Sequence, residues 1–297
     1  MNKQGEEWQC LFINNGQVQA LPHLMSEFDE ADLRIPIHVL DCLEKQHSIC
    51  VVITSDTDVI VALLYHMPVF LQKGLKELWV RAGVGDTTRY MPLHILYERL
   101  GSELCKVLPA LHSLTGCDIT SKVGTKKAAL KANPEILLGQ FGMLPTLSET
   151  IIRNAEEYLV KVLRPGSEAK NFSVMRVEVF HHNKDSSHQK LPPTSQGLLP
   201  HIKRAFFNAY SIMHALDVNL KIEQTISLKP EDFGYKYDGE SQFVPETSWN
   251  TLEPRWTVVC TCKACARVTC ACRAAEVGCI NFCGCKKKSK LSCKNQF

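Results

Sequence analysis

Nine cysteines crowd the end of the chain with the spacing Cys260-x-Cys262-x2-Cys265-x4-Cys270-x-Cys272-x6-Cys279-x3-Cys283-x-Cys285-x7-Cys293. Thiolate sulfur is a preferred ligand of zinc, which in structural sites takes four ligands at the corners of a tetrahedron. No histidine lies among these cysteines, and nine sulfurs cannot be divided into separate sets of four. Three zinc ions need about twelve ligand positions, and nine sulfurs supply them when three each bridge two metals. Cys-x-Cys pairs suit that sharing, because neighbouring ligands can reach different ions. The segment holds few apolar residues besides cysteine, so metal must supply most of its folding free energy. Disulfides are the competing reading. The odd count and the lack of a secretory signal weigh against them.

A second chemistry is written in carboxylates. Glu30 and Asp32 stand in E-A-D, Asp56 and Asp58 in S-D-T-D directly after a β-branched apolar run, and Asp118 in L-T-G-C-D. Paired carboxylates suit Mg²⁺ or Mn²⁺, which prefer oxygen ligands. Each acid taken alone is equally a helix cap or a turn residue. The lone histidines His112 and His201 are expected to be packed or solvated rather than catalytic.

Charge divides the chain at the same place as cysteine. Residues 255–297 carry nine Lys/Arg against one acid, Glu276, for a net +8, while the 254 residues upstream hold 25 basic and 30 acidic residues. A basic tail on an acidic body points to a polyanionic partner. Arg267, Arg273, Lys286, Lys287, Lys288, Lys290 and Lys294 are the tail charges expected to neutralise phosphate. The run KKKSK (286–290) also fits nuclear import. There is no long apolar run and the N-terminus has no secretory character, so the expectation is an intracellular, nuclear chain with no membrane partner.

The elements that must position these groups alternate in type. Residues 8–20 predict two short strands about an Asn-Asn-Gly turn, and 27–46 a helix interrupted by Pro36. A buried strand over 48–55 leads into a buried helix, and a further strand covers 78–84. Helices follow at 92–100 and 103–114, then a loop over 116–124 and short helices at 125–132 and 135–141. A longer amphipathic helix covers 147–163. The stretch 165–197 predicts a poorly ordered connection. Residues 198–216 predict a buried helix packed through Ile202, Phe206, Tyr210 and Met213, and 228–256 an extended strap. Alternation of strand and helix favours an α/β core with a largely parallel sheet.

Two resemblances follow from these motifs. The cysteine spacing resembles the tesmin-type CXC domain, whose members bind zinc and in several cases DNA. This chain departs from it in the short Cys262-x2-Cys265 gap, in the long last gap and in carrying Thr269 before the central Cys-x-Cys. The order E-A-D, S-D-T-D, L-T-G-C-D resembles the PIN and flap-endonuclease family of structure-specific 5′ nucleases. That resemblance implies a divalent-metal site with Glu30, Asp32, Asp56, Asp58 and Asp118 as catalytic carboxylates. It also implies a backbone-gripping hairpin at Val123, Gly124, Lys126, Lys127 and Ala128, with Lys122 and Lys131 nearby. Residues 27–285 together resemble transposon-associated animal proteins that join such motifs to a cysteine-rich tail.

The family brings two further acids from a strand before E-A-D. Here only 29 residues precede Glu30, and the run WQCLFIN ends in asparagine. The expectation is therefore an N-terminally incomplete PIN-like domain over 1–140, a helical extension over 141–225, a strap over 226–256 and a zinc module over 257–297. Activity is expected to be residual or absent. Two rivals remain: a haloacid-dehalogenase-type phosphatase, which also begins with a strand and D-x-D, and a non-enzymatic chromatin scaffold. Convergence of Glu30, Asp56, Asp58 and Asp118 in space favours the nuclease-derived site, and scatter favours the scaffold.

Overall fold

The computed structural model describes residues 11–24, 30–182, 191–217, 229–239, 243–246, 258–262, 265, 270–279, 283–287, 293 and 295. Strands β1 (Leu11–Asn14) and β2 (Gln17–Ala20) form the expected hairpin, with Asn15 and Gly16 at positive φ in its turn. Residues 8–10 lie outside the described residues. Helix α1 (Ala31–Glu44) leads to β3 (Ile49–Ile53), α2 (Thr57–Gln72), β4 (Glu77–Ala82) and β5 (Arg89–Pro92). Then come α3 (Leu93–Leu100), α4 (Ser102–Thr115), α5 (Lys126–Lys131), α6 (Pro134–Leu138) and α7 (Glu149–Leu163). Helices α8 (Phe172–His182) and α9 (Ser195–Met213) complete the body, followed by a short hairpin of β6 (Tyr235–Tyr237) and β7 (Phe243–Pro245).

The sheet corrects the expectation of a largely parallel one. It has three strands in the order β3-β4-β5, and only β3 and β4 are parallel, with Ile49 beside Glu77 and Ile53 beside Arg81. Strand β5 runs antiparallel to β4 with Trp79 opposite Pro92. A crossover through α2 makes the parallel pair, whereas the short 3₁₀ turn at Gly85–Thr87 can only return the chain antiparallel. The sequence R-Y-M-P is too short and polar to announce a strand.

One face of the sheet meets α1–α4 in a core of Val39, Leu43, Cys50, Leu63, Met67, Phe70, Leu78, Val80, Leu93 and Leu108. The opposite flank of α4 enters a second core with α6–α9, built around Leu114, Phe141, Tyr158, Leu159, Phe172, Ile202 and Phe206. Leu138 and Phe141 belong to that same cluster, so packing is continuous across residue 140. Tyr158 donates its hydroxyl to the Ala129 carbonyl at 3.0 Å, which ties α7 to α5.

Two stretches are more ordered than their composition announces. Within 165–197, α8 forms where a connection was expected; Phe172, Met175 and Val177 are buried from it, while 183–190 lie outside the described residues. Within the expected strap, Phe233 stacks on Phe206 with centroids 5.8 Å apart, and Arg204 donates to the carbonyls of Gly234 and Glu246. That buried guanidinium pins the strap to α9. Residues 247–256 lie outside the described residues. Among the described residues no helix is long and apolar enough to cross a membrane.

Candidate metal centres and the cavity beside them

The two acidic motifs open two helices. Glu30 is the N-cap of α1 and Asp32 lies in its first turn; Asp56 is the N-cap of α2 and Asp58 lies in its first turn. The Asp56 carboxylate accepts the Asp58 backbone N–H at 2.8 Å, an ordinary cap. Placing acids at helix N-termini also answers the positive end of the helix dipole. Beyond those local roles Asp32 stands near the second motif. Its pKa is raised by burial first, then by the negative charges of Asp56 and Asp58, the Asp56 side chain and Glu30. Negative charge nearby favours the protonated form of the Asp32 carboxyl. Carboxylate oxygens are what a Mg²⁺ or Mn²⁺ ion takes, but among the described residues no three of these acids bring ligand atoms within 4.8 Å of one another; Asp58 does so with His112 and Cys117.

Asp118 stands apart. It is exposed on the loop after α4 and, with Asp58, lines a cavity of about 350 Å³ also lined by Thr57, His112, Cys117 and Lys122. Gly116 opens that loop at φ +110, where a Cβ would stand 2.7 Å from the Lys122 Cα, so the sharp bend needs glycine.

His112 is packed, as expected, but its partner was not foreseen. It is buried on α4, and its Nε2 lies 2.7 Å from Asp58 Oδ1. The Lys126 Nζ approaches the other ring nitrogen, Nδ1, at 3.2 Å. An ammonium can only donate, so Nδ1 accepts and Nε2–H donates to Asp58. Asp58, His112 and Cys117 bring one ligand atom each within 4.8 Å of one another. No spacing in the sequence links Asp58 to His112; only the packing of α2 against α4 does. His201 behaves as expected, buried with its Nε2 2.9 Å from the Leu114 carbonyl oxygen.

Lys126 is exposed, as Lys122 and Lys127 are, but its Nζ reaches back to the end of α4, although the hairpin resemblance places it on phosphate. Its Nζ also lies 3.0 Å from the His112 carbonyl oxygen, 2.9 Å from Thr115 Oγ1 and 2.8 Å from the Gly116 carbonyl oxygen. Those are the end groups of α4, and a lysine there caps its unpaired carbonyls and answers its dipole. Burial pushes the Lys126 pKa down, while the charges of Cys117 and Asp58 oppose the shift. Gly124, at φ +71, lets the loop lie against α7, since a Cβ would meet Val162 Cγ1 at 2.6 Å.

The cysteine segment condenses around sulfur. Helices α10 (Ala271–Ala274) and α11 (Gly284–Lys287) are single turns. Cys260, Cys265, Cys270, Cys272, Cys283, Cys285 and Cys293 are buried against one another, with Cys262 and Cys279 at the edge of the cluster. Sγ–Sγ separations of 3.3 Å (Cys260–Cys265), 3.5 Å (Cys265–Cys279), 3.6 Å (Cys272–Cys283) and 3.8 Å (Cys260–Cys279) lie far beyond a sulfur–sulfur bond. They are close to the edge of about 3.8 Å that Zn–S bonds of about 2.3 Å give a tetrahedron. Three overlapping four-sulfur sets occur: Cys260/Cys262/Cys265/Cys270, Cys260/Cys270/Cys272/Cys279 and Cys260/Cys265/Cys279/Cys285. Cys260 belongs to all three. Burial opposes its ionisation, but hydrogen bonds from Cys265, the Cys262 backbone, Cys270 and Cys279 outweigh that and lower its pKa to about 6. The donor set fits zinc.

Among the tail charges, Arg273 is exposed on α10. Lys286 and Lys287 lie on α11 with side chains outside the described residues, as Arg267 and Lys288 are entirely. Comparison of the chain with protein-family models, with curated proteins and with solved structures finds no match.

Proposed function

We propose that this chain is a zinc-stapled nucleic-acid-binding protein, acting on DNA in the nucleus. Its α/β body descends from a divalent-metal-dependent 5′ nuclease and keeps little or no phosphodiesterase activity. The observation that carries the reading is the nearness of Asp32 to Asp56 and Asp58, from two motifs 24 residues apart. A scaffold gives no reason for acids of two separate motifs to stand near one another.

On this reading Asp32, Asp56 and Asp58, with Glu30, are the remnant of a Mg²⁺ or Mn²⁺ site. When bound, such an ion supplies an activated water and stabilises a leaving oxygen. Two features support weak activity: Asp118 is exposed on the loop after α4, and Asp58 is already engaged by His112 at 2.7 Å. Binding falls to the tail, where nine thiolates sharing about three zinc ions would fix a basic surface, net +8 over residues 255–297.

The test is fluorescence anisotropy of the zinc-loaded chain on single-stranded and flap DNA across a salt series, with Mg²⁺ and Mn²⁺ cleavage assays alongside. The expected result is affinity that falls steeply with salt, with the slope of log affinity against log salt reduced by roughly one for each of Lys286, Lys287 and Lys288 changed to Ala. Salt-independent binding, or none, overturns the binding claim. Robust turnover that Asp56→Ala abolishes overturns the claim of lost activity.

A further inference from the structure

Strand β3 is uncovered on one face. Ile49, Val51 and Ile53 are 58%, 53% and 70% exposed, although they are β-branched residues of a parallel strand pair. Parallel strands are ordinarily covered on both faces. Here the described helices pack on the face of Cys50, Leu78 and Val80. The strand carries none of the lysines, prolines or bulges that keep an open strand from associating. The pairing register sets Glu77, Trp79 and Arg81 beside Ile49, Val51 and Ile53 on the same face, and Tyr90, 59% exposed, lies next to Arg81. The Nε of Arg81 is buried and makes no hydrogen bond among the described residues.

We propose that this face is a homodimer interface, occupied by the same face of a second copy of the chain. Two-fold symmetry makes the pattern self-complementary. With the axis between the sheets and across the Val51–Trp79 row, Val51 meets Val51 of the second copy and Ile49 meets Ile53. The same operation sets Glu77 over Arg81 of the second copy, at both ends of the apolar stripe. The charges are opposite where the symmetry brings them together. Two sheets stacked in this way lie about 10 Å apart, which Ile and Val side chains fill. Any partner with an apolar face could cover the isoleucines; the charge order along β4 is what selects a second copy.

The test is sedimentation equilibrium of the zinc-loaded full chain over the micromolar range, with Val51→Asp, Glu77→Arg and the double variant Glu77→Arg/Arg81→Glu. The wild type is expected to be dimeric and Val51→Asp monomeric with an unchanged circular dichroism spectrum. Glu77→Arg should weaken the dimer at least tenfold, and the double variant should restore it. A monomeric wild type overturns the proposal, as does a dimer that Val51→Asp leaves intact. A double variant no tighter than Glu77→Arg also overturns it, because the charges then do not meet. If Val51→Asp unfolds the chain, the charge-swap pair decides by the same criterion.

Discussion

His112 Nε2 lies 2.7 Å from Asp58 Oδ1, joining the last turns of α4 to the first turn of α2 across 54 residues of sequence. The imidazole is buried and the carboxylate largely so, and removing either partner leaves the other poorly paired. Asp58→Asn and His112→Ala are each expected to cost about 2 kcal/mol in chemical denaturation. The double variant should cost less than their sum by at least about 1 kcal/mol. Simple additivity would show that the contact contributes nothing.

His66 gives the body a defined acid sensitivity. Burial lowers its pKa from 6.5 to about 4, although its hydrogen bond to the Ile212 carbonyl pulls the other way. Between those two values the unfolded chain binds a proton that the folded chain does not. Stability is therefore complete above about pH 6.5 and falls as the pH drops toward 4, by about 3 kcal/mol. His66→Gln can keep a donor to Ile212 and should flatten this part of the profile, measured as unfolding midpoint against pH. An equally steep profile in the variant would place the effect elsewhere.

Lys126 and its neighbours Lys122 and Lys127 should separate cleanly. Lys126→Met removes the cap of α4 and is expected to lower stability by 1–2 kcal/mol, on the order of a lost cap and dipole contact, while the salt slope of nucleic-acid binding stays unchanged. Lys122→Ala and Lys127→Ala should leave the melting temperature unaltered. A slope that falls with Lys126→Met at wild-type stability would restore the phosphate-binding role.

Gly116→Ala asks whether the bend before Cys117 and Asp118 is obligatory. At φ +110, with the Lys122 backbone 2.7 Å from the new Cβ, the loop must shift. The expected loss is about 2–3 kcal/mol. Wild-type thermal stability would mean the loop is free to relax.

Much of the molecule was legible before folding. The helices at α2, α4, α7 and α9 and the strands β3 and β4 follow from hydrophobic pattern, and the first-turn acids Asp32 and Asp58 are visible as motifs. What sequence could not supply is long-range. The Asp58–His112 contact, the reach of Lys126 Nζ to the end of α4 and the pinning of Phe233 by α9 depend on which helices pack together, and no local spacing encodes that. Strand β5 was lost because four residues of mixed polarity carry no period, and α8 because its apolar residues do not fall on one stripe. The cysteines were legible for a different reason: residue type and spacing alone announce a sulfur cluster that could hold metal, without any help from the rest of the fold.

That cluster is tested most directly by native mass spectrometry of the intact chain, purified without chelator at neutral pH. Shared thiolates predict about three zinc ions per chain, lost together on acidification, with all nine clustered cysteines open to alkylation only after the metal has gone. A folded, metal-free tail, or one cross-linked by sulfur–sulfur bonds, would contradict it.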